Sequence, residues 1–419
     1  MNQAIPTHDP RQVELDPYAI PLNEINVANP FLFEANKQDA WFKRLRDEAP
    51  VHYCTDSLFG PYWSITRYED IMTVDTNHEV FSSEPSITIR DPDPDFTLPM
   101  FIAMDRPKHD LQRAVVQPAV GADKLRHFEP IIRERTIGVL DDLPVGETFN
   151  WVDKVSIELT TRMLATLFDF PFEQRQKLTR WSDVATAVPG MGIIESEEQG
   201  RQELYECLQM FTELWNERVN ALPANDFISM LAHGESTQNM EPLEYLGNLL
   251  LLIVGGNDTT RNTMSASVLA LHQNPEQFEK IRADQSLIPT MISEAIRWQT
   301  PLAHMRRTAK QDFELSGQKI RAGDKVIMWY QSGNRDERFF DSPDKFDMER
   351  KDVRKHLAFG FGIHRCMGNR LAEMQLKILW EEILERFERI EVVGQPERVP
   401  SVFVRGYSEL PVKLHPRSS

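Results

Sequence analysis

Ten residues limit this chain more than any others: Phe359-Gly360-Phe361-Gly362-Ile363-His364-Arg365-Cys366-Met367-Gly368. Leu371, Met374, Ile378, Leu379, Ile383 and Phe387 follow at helical spacing and predict an amphipathic helix directly after the glycine-rich loop. A cysteine placed ahead of a helix feels the positive end of the dipole and unpaired N–H groups, which favour thiolate over thiol. Glycines there permit positive φ and let backbone approach a flat partner closely. Without these neighbours a lone cysteine reads as a small buried hydrophobe. With them, it reads as a thiolate offered to one open position on a metal.

Phe359, Gly362, His364, Cys366 and Gly368 resemble the haem-binding pattern of the cytochromes P450, F-x-x-G-x-[RH]-x-C-x-G. At average residue usage the five fixed positions recur by chance about once in ten thousand chains of this length. The resemblance implies a mainly α fold with a small β portion, a triangular helical prism enclosing haem b. It implies Cys366 as axial thiolate, which pushes electron density onto haem iron and favours O–O cleavage.

Other segments resemble the same family. Leu249 to Thr260 is apolar nearly all round before meeting Gly255 and Gly256, so a buried helix with a weak point is expected. Thr259 can bond back to the carbonyl of Gly255 and open the helix locally. Gly255, Gly256, Asp258, Thr259 and Thr260 match the family's [AG]-G-x-[DE]-T-[TS]. The resemblance makes Asp258 a proton relay and Thr259 its partner at the oxygen site, with Gly256 beside the haem. His109 and Arg113, four apart on one predicted helical face, suit a haem propionate, and the family match at Asp105 to Arg113 assigns them to it. Arg307 (Arg306 as fallback) and His364 take the positions of further propionate donors. Glu294 and Arg297 form the family's E-x-x-R, with Arg350 as third member, a scaffold beneath the cysteine loop.

With 419 residues, two domains or one large core around a cofactor are expected. The reading is an extended lead-in over residues 1–30 and one monooxygenase domain over 31–419, β-rich near 50–70, 313–330 and 390–415. Ser83 to Met104 is a proline-dotted loop carrying large apolar residues, expected to roof a substrate pocket. Val188 to Ile194 links two helices and either forms a mobile lid or tucks against the core. The formal charge of −17 disfavours nucleic acid and anionic membrane as partners. No apolar run is long enough for stable membrane insertion, and three cysteines without paired spacing point to a reducing, cytoplasmic setting.

The resemblance further implies dioxygen as co-substrate and NAD(P)H acting indirectly through ferredoxin and ferredoxin reductase. Arg365 and Arg370, with Lys124, would steer an acidic ferredoxin. Gly247 to Asn262 and Trp298 to Arg306 are similar to the bacterial alkane and fatty-acid terminal hydroxylases. The expected substrate is a small apolar molecule, walled by Leu251, Val254, Gly255, Leu302, Ala303 and Phe403. A terpene or other compact apolar molecule is the alternative substrate. Three rival functions remain: a non-catalytic haem sensor, a peroxygenase using hydrogen peroxide, and a zinc site at His356, His364 and Cys366. The adjacent Asp258 and Thr259 weigh against the first, since a sensor needs no proton relay, and against the second, whose relatives typically replace that acid–alcohol pair; the third lacks a fourth ligand.

Overall fold

The computed structural model describes Val13–Arg417 and is mainly helical with a small β portion. It forms two compact units, neither contiguous in sequence.

The first unit comprises the described residues up to Pro92, Ser293–Cys366 and Glu397–Ser408. Its centre is a five-stranded sheet in the spatial order Val51–Cys54, Tyr62–Ile65, Lys325–Met328, Met305–Ala309, Phe81–Ser82. Tyr62–Ile65 and Val326 to Met328 are buried throughout, as central strands covered on both faces must be. These two strands pair in parallel, Ile65 beside Met328, while the other pairings are antiparallel. The helix Gln38–Glu48 buries Trp41, Phe42 and Leu45, and the rings of Phe33, Phe42 and Trp329 lie 5.1–6.3 Å apart. Each such side chain contributes about 1.5–3 kcal/mol on burial.

The expected loose lead-in is tied down at its C-terminal end. Ile25, Val27 and Ala28 are core residues, and Asn26 Oδ1 accepts from the Ala28 N–H and the Tyr62 hydroxyl, both at 2.9 Å. Residues 1–12 lie outside the described part.

The second unit comprises Asp93–Ile292, Met367–Pro396 and the described residues from Glu409. Pro242 opens its long central helix, Pro242–Gln273, at the position where a missing N–H costs nothing. Around it pack Glu158–Phe168, Gln176–Thr186 and Glu197–Val219. The two helices expected around 173–220 are thus present, joined by an irregular connector over 187–196. Asn369–Arg386 buries Leu371, Ile378, Leu379 and Ile383, as the spacing predicts. Phe387 departs from that reading: the helix ends at Arg386 and Phe387 opens the strand Phe387–Val392. That strand joins Thr148–Asn150 and Pro411–Pro416 in a three-stranded sheet.

Candidate functional site

In the first unit the cysteine loop is two short 3-10 turns, Leu357–Phe359 and Gly362–His364, closed by the Cys366 N–H donating to the Phe359 carbonyl at 2.8 Å. Among the three cysteines Cys366 alone is exposed. Burial pushes the Cys54 thiol up to about 11 and the Cys207 thiol well above its ordinary value, so neither supplies a thiolate near neutral pH. Gly360 and Gly362 have φ of +63° and +67°. A Cβ on Gly362 would also sit 2.7 Å from the Asp75 carbonyl, so this position excludes any side chain.

Asp75 organises the loop, and sequence reasoning missed it. Its Oδ2 accepts from the Phe361 N–H and the Tyr330 hydroxyl, both at 2.8 Å, and Oδ1 accepts from the Arg307 guanidinium at 2.7 Å. Nothing local marks this aspartate, whose partners lie more than 230 residues away in sequence. Arg307 is therefore buried and engaged by Asp75, and also donates to the Arg306 carbonyl. Arg306 pairs with Asp91 at 2.7 Å. His364 Nε2 lies 2.8 Å from Ser83 Oγ.

A second buried carboxylate stands behind the loop. Glu294 takes a bidentate pair from Arg297 at 2.7 and 2.8 Å, a forked contact from Arg350 Nε at 3.2 and 3.3 Å, and the Asp347 N–H at 2.9 Å. Arg297 also donates to the Asn334 carbonyl at 2.6 Å, and Asn334 Oδ1 accepts from the Leu357 N–H at 2.7 Å. The chain Glu294–Arg297–Asn334–Leu357 thus reaches the first residue of the loop's first turn.

In the second unit the helix Pro242–Gln273 is buried from Tyr245 to Leu271 except at Arg261 and along a stripe where Leu251, Val254, Gly255, Gly256 and Thr259 keep accessible surface. Thr259 Oγ1 donates to the Gly255 carbonyl at 2.9 Å as expected, yet the helix continues without a break. The paired glycines differ. A Cβ on Gly255 would meet nothing within 4 Å, whereas one on Gly256 would lie 2.7 Å from Leu164 Cδ2. Gly256, expected beside the cofactor, also permits close packing against the helix Glu158–Phe168.

Asp258 is fully buried. It accepts from Ser182 Oγ at 3.1 Å and Asn257 Nδ2 at 3.3 Å, and pairs with Arg261 at 2.8 Å. Arg261 is shared with Asp183. Burial pushes the Asp258 carboxyl up to about 6; Arg261 opposes the rise and Asp183 adds to it. Such a group both holds and releases a proton near neutral pH. Elsewhere in this unit, His109 and Arg113 share the helix Lys108–Val116. His109 is buried with Nδ1 2.8 Å from Asp110, and burial holds its pKa below the ordinary value.

A family model described as Cytochrome P450 matches residues 146–406. The chain belongs to the cytochrome P450 family. The solved structure of Cytochrome P450-153 from Novosphingobium aromaticivorans is similar at 48% identity and TM-score 0.86, over 93% of this chain and 99% of that one. CYP153D17 from Sphingomonas sp. PAMC 26605 is 48% identical with TM-score 0.88, over 94% and 100%. Among curated proteins, linalool 8-monooxygenase of Pseudomonas putida is 34% identical over 94% of this chain and 99% of its own length.

The cytochrome P450 family uses haem b, dioxygen and electrons delivered by a reductase. The cysteine loop fits haem: one exposed cysteine on a loop without side chains at 360 and 362. The zinc alternative fails, since no group of three or more His, Cys, Asp or Glu among the described residues is placed to hold a metal ion. Separately, burial and nearby Arg297 and Arg365 push the His356 pKa down to about 3.

The expected pocket walls divide. Leu251, Val254, Leu302 and Phe403 keep part of their surface. Ala303 does not: it lies in the core with Ile327 and Trp329, donating its N–H to the Phe403 carbonyl at 2.8 Å. Its neighbour His304 is a core histidine, with Nδ1 on the Val402 carbonyl and Nε2 accepting the Ile89 N–H; burial pushes its pKa down to about 4.

Proposed function

We propose that this cytochrome P450 hydroxylates the terminal carbon of a medium- or long-chain alkane or fatty acid, with Cys366 as the axial thiolate and a ferredoxin as electron donor. Bound haem b activates dioxygen and inserts one oxygen atom into a C–H bond. The observation that carries the reading is the accessible stripe along the buried middle of the central helix. Apolar Leu251 and Val254 lead along it to Gly255 and Thr259, and Asp258 stands adjacent with its carboxyl near 6.

Each residue's part follows from its chemistry. Leu251, Val254, Leu302 and Phe403 offer apolar surface to the substrate chain, at about 0.8 kcal/mol per buried CH₂. Thr259 holds a hydroxyl beside the open ground over Gly255. Asp258, its carboxyl near 6, holds a proton at Oδ1 or Oδ2 and releases it near neutral pH. His109, Arg113, His364 and Arg307 would hold the propionates. A guanidinium carries five N–H donors, so engagement with Asp75 does not exhaust Arg307.

Support for the substrate class comes from the relatives. Both structural neighbours at 48% identity carry the 153 designation, and a methyl-branched lipid omega-hydroxylase of Mycobacterium tuberculosis is 30% identical over 94% of this chain. The similarity to linalool 8-monooxygenase supports a second reading, a terpene substrate. Arg365 and Arg370 are each exposed, as a ferredoxin contact requires. No helix among the described residues is long and apolar enough to cross a membrane, and a cytoplasmic location is part of the proposal.

The test is a homologous series of n-alkanes, fatty acids and terpenes added to the ferric holoprotein, with the haem spin state followed and products resolved by carbon position. Binding should tighten about fourfold per added CH₂ until the slot fills, and primary alcohols should dominate. Mainly subterminal alcohols, or a response to terpenes alone, would overturn terminal hydroxylation of chains. Reversing the charge of Arg365 and Arg370 should slow ferredoxin-supported turnover; unchanged turnover removes the docking assignment.

A further inference from the structure

The first unit contains a polar cavity of about 360 Å³ that includes neither the cysteine loop nor any of the apolar wall residues. Five cationic side chains line it: Lys43, Arg46, Arg335, Arg398 and Arg405. Only Asp39 and Asp344 among its lining residues are acidic, a local excess of positive charge on a chain whose net charge is −17.

The neighbours do not neutralise it evenly. Lys43 and Arg46 share Glu337 at 3.4 Å, and Lys43 also holds Asp47 at 2.9 Å. Arg335 reaches the largely exposed Asp344 at 3.4 Å, donates to the Trp298 carbonyl at 3.1 Å, and lies over the Trp298 ring. Asp39 accepts from Gln331 at 2.7 Å and makes no ion pair within 4 Å among the described residues. Arg398 and Arg405 likewise have no carboxylate within that distance among the described residues. Arg398 stacks 4.5 Å over the Tyr407 ring and Arg405 donates to the Gln299 carbonyl. Burial pushes the Arg405 guanidinium down to about 10, with Arg398 and Arg335 adding to the fall and Asp39 opposing it.

We infer that this cavity binds a small multivalent oxyanion of the phosphate class, held chiefly by the guanidinium groups of Arg398 and Arg405. Guanidinium forks match the tetrahedral oxygens of such an anion with paired, charge-assisted hydrogen bonds. The concave wall concentrates the positive field against the acidic exterior. Asp39, whose carboxyl Arg335, Arg405 and Arg46 hold below its ordinary value against the opposing effect of burial, offsets part of the repulsion among the arginines.

Pyrophosphate titrated into the holoprotein by calorimetry, at constant ionic strength, should bind one per chain with Kd on the order of 0.1–1 mM. Arg398→Gln, at a half-exposed position, should weaken binding about tenfold, the loss expected for a charge-assisted hydrogen bond. Arg405→Gln should do the same, and Arg321→Gln, on an exposed hairpin elsewhere in the unit, should change nothing. Absence of saturable binding at 10 mM (about 100 times the tighter limit), or equal binding by Arg398→Gln, overturns the site. Tighter binding of citrate or succinate than of pyrophosphate overturns the phosphate class.

Discussion

Glu294 and Asp258 are both fully buried carboxylates in this cytochrome P450, and they are equipped for opposite ends. Glu294 faces two guanidinium groups and a backbone N–H. Asp258 shares one guanidinium with Asp183, and its remaining donors are a serine hydroxyl and an asparagine amide at 3.1–3.3 Å. The count of charges separates them. One acid among two cations is a fixed joint; two acids around one cation leave a proton without a settled home, and Asp258 rises to about 6. Asp75 belongs with Glu294, saturated by Arg307, Tyr330 and the Phe361 N–H. How a buried carboxyl titrates thus depends on its burial and on its neighbours' charge together.

Glu294→Gln should produce the largest stability change, a loss of about 3–5 kcal/mol in denaturant unfolding, because two buried guanidinium groups lose their counter-charge. A loss under about 1 kcal/mol would break the comparison on the scaffold side, since exposed pairs contribute no more.

Asp258→Asn tests the other side. The folded pKa lies near 6 against an ordinary 3.8, so between those values the folded chain keeps a proton that the unfolded chain has lost. That stabilisation is complete below about pH 4 and gone above about pH 6. Wild-type stability should therefore fall by about 3 kcal/mol across the window relative to the Asp258→Asn variant. Turnover should drop about 100-fold in the same variant. Parallel stability curves for the two proteins would mean that the carboxyl does not titrate there.

Asp75→Asn should cost about 1.5–3 kcal/mol, the range for hydrogen bonds to a charged group, and loosen haem retention without changing the pH profile of turnover. The smallest effect is expected from Arg261→Gln. Removing the only nearby cation raises the Asp258 carboxyl further, moving the acid's infrared band to higher pH; a downward movement would show that Arg261 does not stabilise the anion.

What could be read from the chain depended on how local the cause was. The loop glycines, the helix after Cys366, the Thr259–Gly255 bond and the Glu294–Arg297 pair lie within short windows and are present in the structure, though the helix does not open at Gly255. Asp75 was invisible because its three partners are distant in sequence. Ala303 looked like wall from its neighbours, but alternation along an irregular segment turned it into the core. The duties of Gly255 and Gly256 depend on Leu164, nearly a hundred residues away.

Those two adjacent glycines give evolution, or an engineer, unequal handles. A methyl added at 255 meets no atom within 4 Å and leaves the packing alone. The same methyl at 256 would lie 2.7 Å from Leu164 Cδ2 and force that side chain to move. Substitution is tolerated at one residue and resisted at the next.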